Sequence, residues 1–365
     1  MVDLYSQYLR AKDQIDDAIN KVLKSTAFIQ GPEVDDFSRA LESYTGAKFV
    51  IPCANGTDAL QIAMMSLGFK RGDEVILPVH TYVATAEVIA LLGLRPVFVD
   101  VDPNTFTIDV SQLRGKITQR TVAIVPVHLY GQCAEMQPIL ELAQEYNLSI
   151  IEDAAQSLGA MYRYRDGRTK MAGTIGTIGT TSFFPTKNLG CFGDGGALFT
   201  NDEELADKMR MISNHGQKVK YSHEIIGVNS RLDTLQAAVL KVKLTHLNDY
   251  QRRRQEAAAF YDQSLSSVAE LEIPERASYS THVFHQYTLK IRNERRDDFK
   301  AYLSDNGVPT MIYYPIPLHL QKAFRQPGIE NGSFPVTEML SRSVISLPMH
   351  SELSEEQLEF VTGRI

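Results

Sequence analysis

The chain has 365 residues, of which 44% are hydrophobic and 22% charged, and it carries a formal net charge of −7. This length and composition predict a globular protein with a large core and room for two subdomains. The acidic balance gives no basis for a general nucleic-acid surface, and no run of about 18 apolar residues offers a membrane span.

The spacing of the cysteines and the residues at the N-terminus indicate the cellular compartment. Cys53, Cys133 and Cys191 are far apart in the sequence, so they fit neither a disulfide framework nor a paired zinc site. The first residues include acids and lack an apolar segment, so they do not resemble a signal peptide. We therefore expect a protein of the reducing cytoplasm.

Helices and strands alternate over the first two hundred residues. Helical periodicity over 11–25 and 34–44 comes first. The predicted strands are 49–51, 74–77, 97–100, 122–127, 149–151, 181–184 and 197–199, and the predicted helices between them are 58–67, 81–92 and 136–146. Many of these strands are continuous apolar runs, which is typical of a mostly parallel, buried sheet. The pattern predicts one large α/β domain of about seven strands, with active residues just past the strand ends.

The character of the chain changes after Asn201. The predicted elements are a helix over 203–213, a long, bent or broken helix over 231–265, a strand over 282–292, a helix over 296–305, a strand over 308–314 and a helix over 353–363. These elements predict a smaller α+β domain. We assign residues 1–240 to an N-terminal arm and the large domain, and residues 241–365 to the small domain.

Lys187 is the first candidate for chemistry. It stands between the apolar run 182–186 and a turn that contains Gly190, Gly193, Gly195 and Gly196. A nucleophilic lysine needs a partly dry position that lowers its pKa, and an apolar run followed by glycines supplies one. The alternative is an ordinary solvated lysine.

Asp153 is the second candidate, because it follows the apolar strand 149–151 and a buried carboxylate needs a partner. An arginine or a helix N-terminus would serve. The functional alternative is a protonated pyridine nitrogen, which would keep a cofactor ring an electron sink. Together, Lys187 and Asp153 predict a pyridoxal-phosphate site, and Gln156 and Ser157, just beyond Asp153 in the sequence, could hydrogen-bond ring substituents.

Residues 55–58, Asn-Gly-Thr-Asp, open the predicted helix after the first strand. Glycine permits a close approach of backbone to ligand, and a helix N-terminus attracts phosphate. Thr57 is equally an ordinary N-cap. Tyr82 follows another strand and could stack on an aromatic ring or pack in the core. The sequence has no GxGxxG or GxxxxGK[ST] motif, which argues against dinucleotide and P-loop sites.

The nine histidines do not form a convincing metal set. His282 and His285 lie in a predicted strand, where their spacing would point them to opposite faces. We therefore expect no metal.

Motifs spread over nearly the whole chain resemble the DegT/DnrJ/StrS family of pyridoxal-phosphate-dependent nucleotide-sugar aminotransferases. The matching segments are 28–34, 55–60, 72–76, 96–100, 128–132, 152–156, 182–187, 193–197, 229–233 and 314–319. Their common order and spacing make the resemblance specific. It implies the type I aminotransferase fold and a homodimer with shared active sites.

The resemblance also implies a role for individual residues. Lys187 forms the Schiff base, Asp153 pairs with the pyridine nitrogen, Gln156 bonds the ring hydroxyl, and Tyr82 takes the stacking position. The remaining implied roles are phosphate binding by Gly56, Thr57 and Ser182, a contact from Asn229 to the phosphate in the neighbouring subunit, and substrate binding by Arg231, Tyr314 and His319.

The implied reaction moves an amino group from L-glutamate to a keto sugar on a nucleoside diphosphate, through the pyridoxamine phosphate form. Residues 182–195 and 229–235 most resemble members that aminate C3 of UDP- or dTDP-linked sugars, and amination at C4 is the alternative. Arg231 could meet a sugar carboxylate or pair with Asp233. Two rivals remain: a dehydratase of the same fold, in which histidine replaces the lysine, and a non-enzymatic regulator.

Overall fold

The structure is a computed structural model that describes residues 1–292 and 295–365. Its α-helices are α1 (Leu4–Arg10), α2 (Lys12–Ser25), α3 (Pro32–Thr45), α4 (Gly56–Ser66), α5 (Ala84–Leu91), α6 (Val110–Leu113), α7 (Met136–Tyr146), α8 (Glu203–Ser213), α9 (Thr234–Thr245), α10 (Leu247–Leu265), α11 (Arg296–Asp305), α12 (Pro335–Ser343) and α13 (Glu355–Thr362). Its strands are β1 (Phe49–Cys53), β2 (Glu74–Pro78), β3 (Arg95–Val99), β4 (Thr121–Ile124), β5 (Ser149–Asp153), β6 (Met161–Arg163), β7 (Thr169–Met171), β8 (Ile178–Ser182), β9 (Gly196–Thr200), β10 (Gln217–Val219), β11 (Ser222–His223), β12 (Leu271–Glu272), β13 (Tyr287–Ile291) and β14 (Val344–Leu347).

Seven strands form the central sheet in the order β1-β9-β8-β5-β4-β2-β3. Strand β9 is antiparallel to both neighbours, and the other pairs are parallel. Strand β1 therefore runs in the same direction as β8, and six strands end at one edge of the sheet. The predicted α/β class with a mostly parallel, seven-stranded sheet is confirmed.

The core lies on both faces of this sheet. Side chains of α4, α5 and α8 cover one face, and side chains of α7 and the segments around it cover the other. Strands β2 and β9 are buried along all five residues, which explains their continuous apolar sequences. Among the described residues, no helix combines the length and apolar character needed to cross a membrane.

The C-terminal part is built on the three-stranded sheet β12-β13-β14, packed on α10 and α13. Its strand predictions were partly wrong. Residues 308–314 form no strand, because only Met311 exchanges backbone hydrogen bonds with β14, through Ser346. The predicted strand 282–292 contains only β13, so His282 and His285 do not lie in a strand. The prediction that these two side chains point to opposite faces of a strand therefore does not apply.

The long helix expected over 231–265 is two helices, α9 and α10, which meet at His246. The predicted domain boundary at residue 240 lies within α9 and stays a prediction. Residues 293–294, inside the predicted strand-to-helix connection, lie outside the described part of the chain.

Candidate active site

A cavity of about 650 Å³ opens at the edge where the six strands end. Lys187 lies in the loop between β8 and β9, and its backbone N–H donates to the Phe184 carbonyl over 2.8 Å. The predicted residues that line this cavity are Gly56, Thr57, Tyr82, Asp153, Gln156, Ser182, Lys187 and Tyr314. Strand direction explains why residues about a hundred positions apart meet here.

The surroundings of Lys187 change the acidity of its amine. Burial lowers its pKa to about 8, although the nearby negative charge of Asp153 acts in the opposite direction. None of the hydrogen bonds and ion pairs among the described residues involves this amine. An amine with a pKa of about 8 and no hydrogen-bond partner among the described residues can lose its proton readily enough to act as a nucleophile and as a proton carrier.

Asp153 is the last residue of β5 and is only 7% exposed. One carboxylate oxygen accepts a hydrogen bond from the Thr85 hydroxyl over 2.8 Å, and the other accepts from the Ala155 N–H over 3.2 Å. No arginine or lysine forms an ion pair with this carboxylate in the described part of the chain. The carboxylate is held in place by neutral donors, so its charge is available to a cation in the cavity.

The preceding residue fixes the end of β5 from the opposite face of the sheet. Glu152 accepts backbone hydrogen bonds from Gly173, Ile175 and Gly176 at 2.6–2.9 Å. It also lies 2.8 Å from His128 Nε2, and both side chains are completely buried. This satisfied network holds the strand end rigidly.

Gln156 and two tyrosines form one wall of the cavity. Gln156 donates from Nε2 to the Tyr314 hydroxyl over 3.2 Å. The Tyr82 ring is 56% exposed and its centroid lies 6.1 Å from that of Tyr314. Burial raises the pKa of Tyr314, so its hydroxyl stays protonated and can donate. This wall offers an open aromatic face and polar groups to a planar ligand.

The part of the cavity lining at the start of α4 is suited to an anion. Helix α4 begins at Gly56, where the first N–H groups have no partner within the helix. A Cβ at Gly56 would lie 2.8 Å from Ser182 Cβ. Glycine therefore allows the helix N-terminus to approach the Ser182 hydroxyl closely enough for both to bind one phosphate.

Three predicted residues do not line this cavity. Asn229 is exposed and pairs with Asn214. Arg231 lines a separate cavity of about 560 Å³, and its Nη1 lies 3.5 Å from Asn214 Oδ1. His319 is 1% exposed and hydrogen-bonded to Glu338 over 3.1 Å. The predicted roles of these three residues stay predictions.

The structure adds residues that we did not predict for the cavity. His285, Gln286 and Tyr313 line it, and Thr85 orients Asp153. His285 is 7% exposed, and its Nδ1 has no hydrogen-bond partner within residues 1–292 and 295–365. His285 had been considered only as a metal ligand. The segment that carries it appeared to be a strand, so no local pattern indicated the cavity.

Comparison with known proteins gives a match over almost the whole chain. Residues 10–365 match the DegT/DnrJ/EryC1/StrS aminotransferase family. A "Pleiotropic regulatory protein" of Geobacillus stearothermophilus is 46% identical over 100% of this chain and 97% of that protein. The "UDP-2-acetamido-2-deoxy-3-oxo-D-glucuronate aminotransferase" of Pseudomonas aeruginosa is 48% identical over 100% of this chain and 98% of that protein.

Among solved structures, NtdA from Bacillus subtilis with bound cofactor PMP superposes with a TM-score of 0.89. The match has 34% sequence identity and covers 97% of this chain and 81% of that chain. The fold described above is therefore shared with a solved structure that holds this cofactor.

Proposed function

The chain belongs to the DegT/DnrJ/EryC1/StrS aminotransferase family, and from this membership we propose that it transfers an amino group from L-glutamate to a keto sugar linked to a nucleoside diphosphate. The observation that carries the proposal is that Lys187, whose amine pKa is lowered, and the fixed carboxylate of Asp153 line the same cavity.

The residues fit pyridoxal phosphate. Gly56, Thr57 and Ser182 would hold its phosphate, Asp153 would hold its ring nitrogen, and Gln156 and Tyr82 would contact its ring. When bound, this group supplies an electron sink that accepts the electron pair of the amino acid's Cα–H bond as that bond breaks. The close approach of Gly56 to Ser182 and the uncompensated carboxylate are the structural features that favour this cofactor over a dinucleotide.

The chain itself supplies a proton carrier and a fixed charge. Lys187 Nζ, with its pKa lowered to about 8, can take up a proton from a substrate carbon and return it near neutral pH, a contribution typically worth ~10²–10⁴-fold in rate. Asp153 stays fixed by Thr85 and Ala155, so it stabilises positive charge opposite it without reorganising.

For the acceptor, we favour a 3-keto sugar carried on UDP or dTDP over a 4-keto sugar. The support is the relative from P. aeruginosa, whose name specifies a 3-oxo-D-glucuronate. Arg231 has an asparagine but no carboxylate as its partner among the described residues. Its guanidinium is therefore suited to a sugar carboxylate.

Charge balance favours a homodimer with shared sites. The side chains around the Lys187 cavity include three acids, Asp58, Asp153 and Asp194, and one amine, Lys187. A cofactor phosphate and a nucleoside diphosphate together bring several negative charges, which this lining does not neutralise. We propose that a second copy supplies Asn229 and Arg231.

We place the reaction in the cytoplasm, where the three buried cysteines stay reduced.

The two rival functions fit the residues of the site less well. A dehydratase of the same fold would carry histidine in place of Lys187. A non-enzymatic regulator would not need a lysine amine with a lowered pKa in the same cavity as a fixed carboxylate. One relative is nevertheless named a regulatory protein.

The test supplies purified protein with pyridoxal phosphate, L-glutamate and a panel of UDP- and dTDP-linked 3-keto and 4-keto sugars. We expect an amino sugar and 2-oxoglutarate in equal amounts, with the 3-keto substrates preferred. Lys187→Ala should abolish turnover, whereas Lys170→Ala, at an exposed position on β7, should not. Cofactor-loaded protein that aminates none of these sugars, or a fully active Lys187→Ala variant, would refute the proposal.

A further inference from the structure

Tyr130 lies where three segments of the cavity wall meet. It is 2% exposed, and its backbone adopts the left-handed conformation, with φ 58° and ψ −1°. A tyrosine in this conformation is strained by about 1–2 kcal/mol, so its surroundings must hold it there. The contacts that do so extend to residues that line the cavity.

The backbone of Tyr130 joins two of these segments. Its N–H donates to Gln156 Oε1 over 2.8 Å, and its carbonyl accepts from the Gln286 N–H over 3.2 Å. Both glutamines line the cavity. The first bond fixes which end of the Gln156 amide faces Tyr130, so Nε2 is left to donate to the Tyr314 hydroxyl.

The hydroxyl of Tyr130 joins the third segment. It donates to the backbone carbonyl of Tyr313 and lies 3.2 Å from His80 Nε2. Because the phenolic proton is used toward Tyr313, the contact with His80 requires Nε2–H as the donor. Burial lowers the pKa of His80 to about 4, so the ring is neutral and has this proton on only one nitrogen.

We propose that Tyr130 is a positioning residue: its hydroxyl anchors the segment 311–317, which carries Tyr313 and Tyr314, while its backbone anchors Gln156 and Gln286. The consequence is a fixed distance between Gln156, which would contact the cofactor, and the segment 311–317, which would contact the sugar nucleotide. This assignment of the two contacts rests on the proposed function.

The two anchors can be separated experimentally. Tyr130→Phe keeps the ring, including its edge-to-face contact with Phe106 at 5.2 Å, and keeps both backbone bonds. It removes only the bonds to Tyr313 and His80. The variant should therefore loosen the segment 311–317 and leave Gln156 in place.

Tyr261→Phe is the matched control. Tyr261 is completely buried and donates its hydroxyl to the Pro348 carbonyl over 3.0 Å, outside the cavity. Both variants lose a buried hydrogen bond from a phenol to a backbone carbonyl, and Tyr130→Phe loses the His80 contact as well. The thermal stability of Tyr130→Phe should therefore fall at least as much as that of Tyr261→Phe. A purely structural role for Tyr130 would give the two variants the same behaviour in every other measurement.

Two further measurements distinguish positioning from stability. In cofactor-loaded protein without substrate, amide hydrogen exchange over 311–317 should accelerate about tenfold in Tyr130→Phe and stay at the wild-type rate in Tyr261→Phe. With the best sugar nucleotide, Tyr130→Phe should raise KM about three- to tenfold, with a much smaller change in kcat and an unchanged cofactor absorption spectrum.

Equal exchange rates over 311–317 in the two variants, or an unchanged KM for Tyr130→Phe, would overturn the proposal. Failure of the proposed function gives a different result, since wild-type protein would then show no turnover. In that case the exchange measurement alone decides whether the hydroxyl of Tyr130 anchors 311–317.

Discussion

At the scale of single residues, Lys187 shows how burial prepares an amine for chemistry. Its lowered pKa means that the native protein holds the proton less strongly than the unfolded chain, where a lysine titrates near 10.4. Between pH 8 and 10.4 the unfolded chain therefore binds more protons at this site. By linkage, the contribution of Lys187 to stability increases as pH rises through this window.

This relation predicts the behaviour of a neutral replacement. In cofactor-free protein, Lys187→Met should be more stable than wild type at pH 7, and the difference should shrink as pH rises above 8. Urea unfolding at a series of pH values measures it. Lys170→Met, at an exposed position, is the control and should give a difference that hardly depends on pH. A constant difference for Lys187→Met would contradict the lowered pKa.

Gly56 supports a second prediction at this scale. Because an added Cβ would lie 2.8 Å from Ser182 Cβ, Gly56→Ala must push β8 away from the start of α4. We expect a loss of about 1–3 kcal/mol in stability and markedly weaker retention of pyridoxal phosphate, measured by absorbance after gel filtration. Gly115→Ala, where no atom lies within 4 Å of the added Cβ, should change neither. If Gly56→Ala retained the cofactor as well as Gly115→Ala, the close approach of Gly56 to Ser182 would not be needed to bind the phosphate.

Local sequence could indicate Lys187, Asp153 and Gly56 because each one follows a recognisable strand or begins a helix. It could not indicate Tyr130 or His80. Their contacts join residues 50 to 183 positions apart, and a left-handed tyrosine has no local sequence signal. These residues become visible only when the chain is folded.

At the scale of elements, the buried strands of the sheet were predictable because parallel strands covered on both faces are continuously apolar. Strand β2, with the apolar run 75–77 and every residue buried, shows this pattern. The segment 308–314 has similar residues but forms no ladder, since its backbone contacts one residue of β14 and then turns toward the cavity. Composition alone does not distinguish a strand from a segment that covers a site.

Helix α12 depends on a residue from the central sheet. Asp100, which follows β3, accepts hydrogen bonds from the backbone N–H groups of Val336 and Thr337 at 2.9 and 2.8 Å. It also accepts from the Thr337 hydroxyl over 2.6 Å and is 2% exposed. The side chain thus caps a helix that lies more than two hundred residues away along the chain.

Asp100→Ala should therefore cost about 2 kcal/mol or more, because it leaves N–H donors without partners at the start of α12. Asp202 is the matched control: it is an exposed cap that accepts from the Leu205 N–H over 3.0 Å at the start of α8. Its replacement by alanine should cost about 1 kcal/mol. Equilibrium unfolding in urea compares the two, and equal losses would contradict the importance of the buried cap.

At the scale of the whole molecule, the placement of Arg231 and Asn229 outside the Lys187 cavity is the feature that the fold of one chain does not explain. The two residues lie at the surface or in a separate cavity, while the acids around Lys187 outnumber its amine. A two-fold symmetric dimer brings the same surface of each subunit to its partner. Such a pairing could place the guanidinium of one subunit at the cavity of the other.

Hybrid dimers test this arrangement directly. In the proposed arrangement, Lys187→Ala would inactivate the cavity of its own chain, and Arg231→Ala would inactivate the cavity of the partner. After the two variants exchange subunits at equal concentration, about half of the dimers are hybrids. In each hybrid, one cavity has both replacements and the other has neither. Activity should therefore rise from the low values of the separate variants to about a quarter of wild type. If each site were complete within one chain, mixing would give only the average of the two variants, whatever the exchange time.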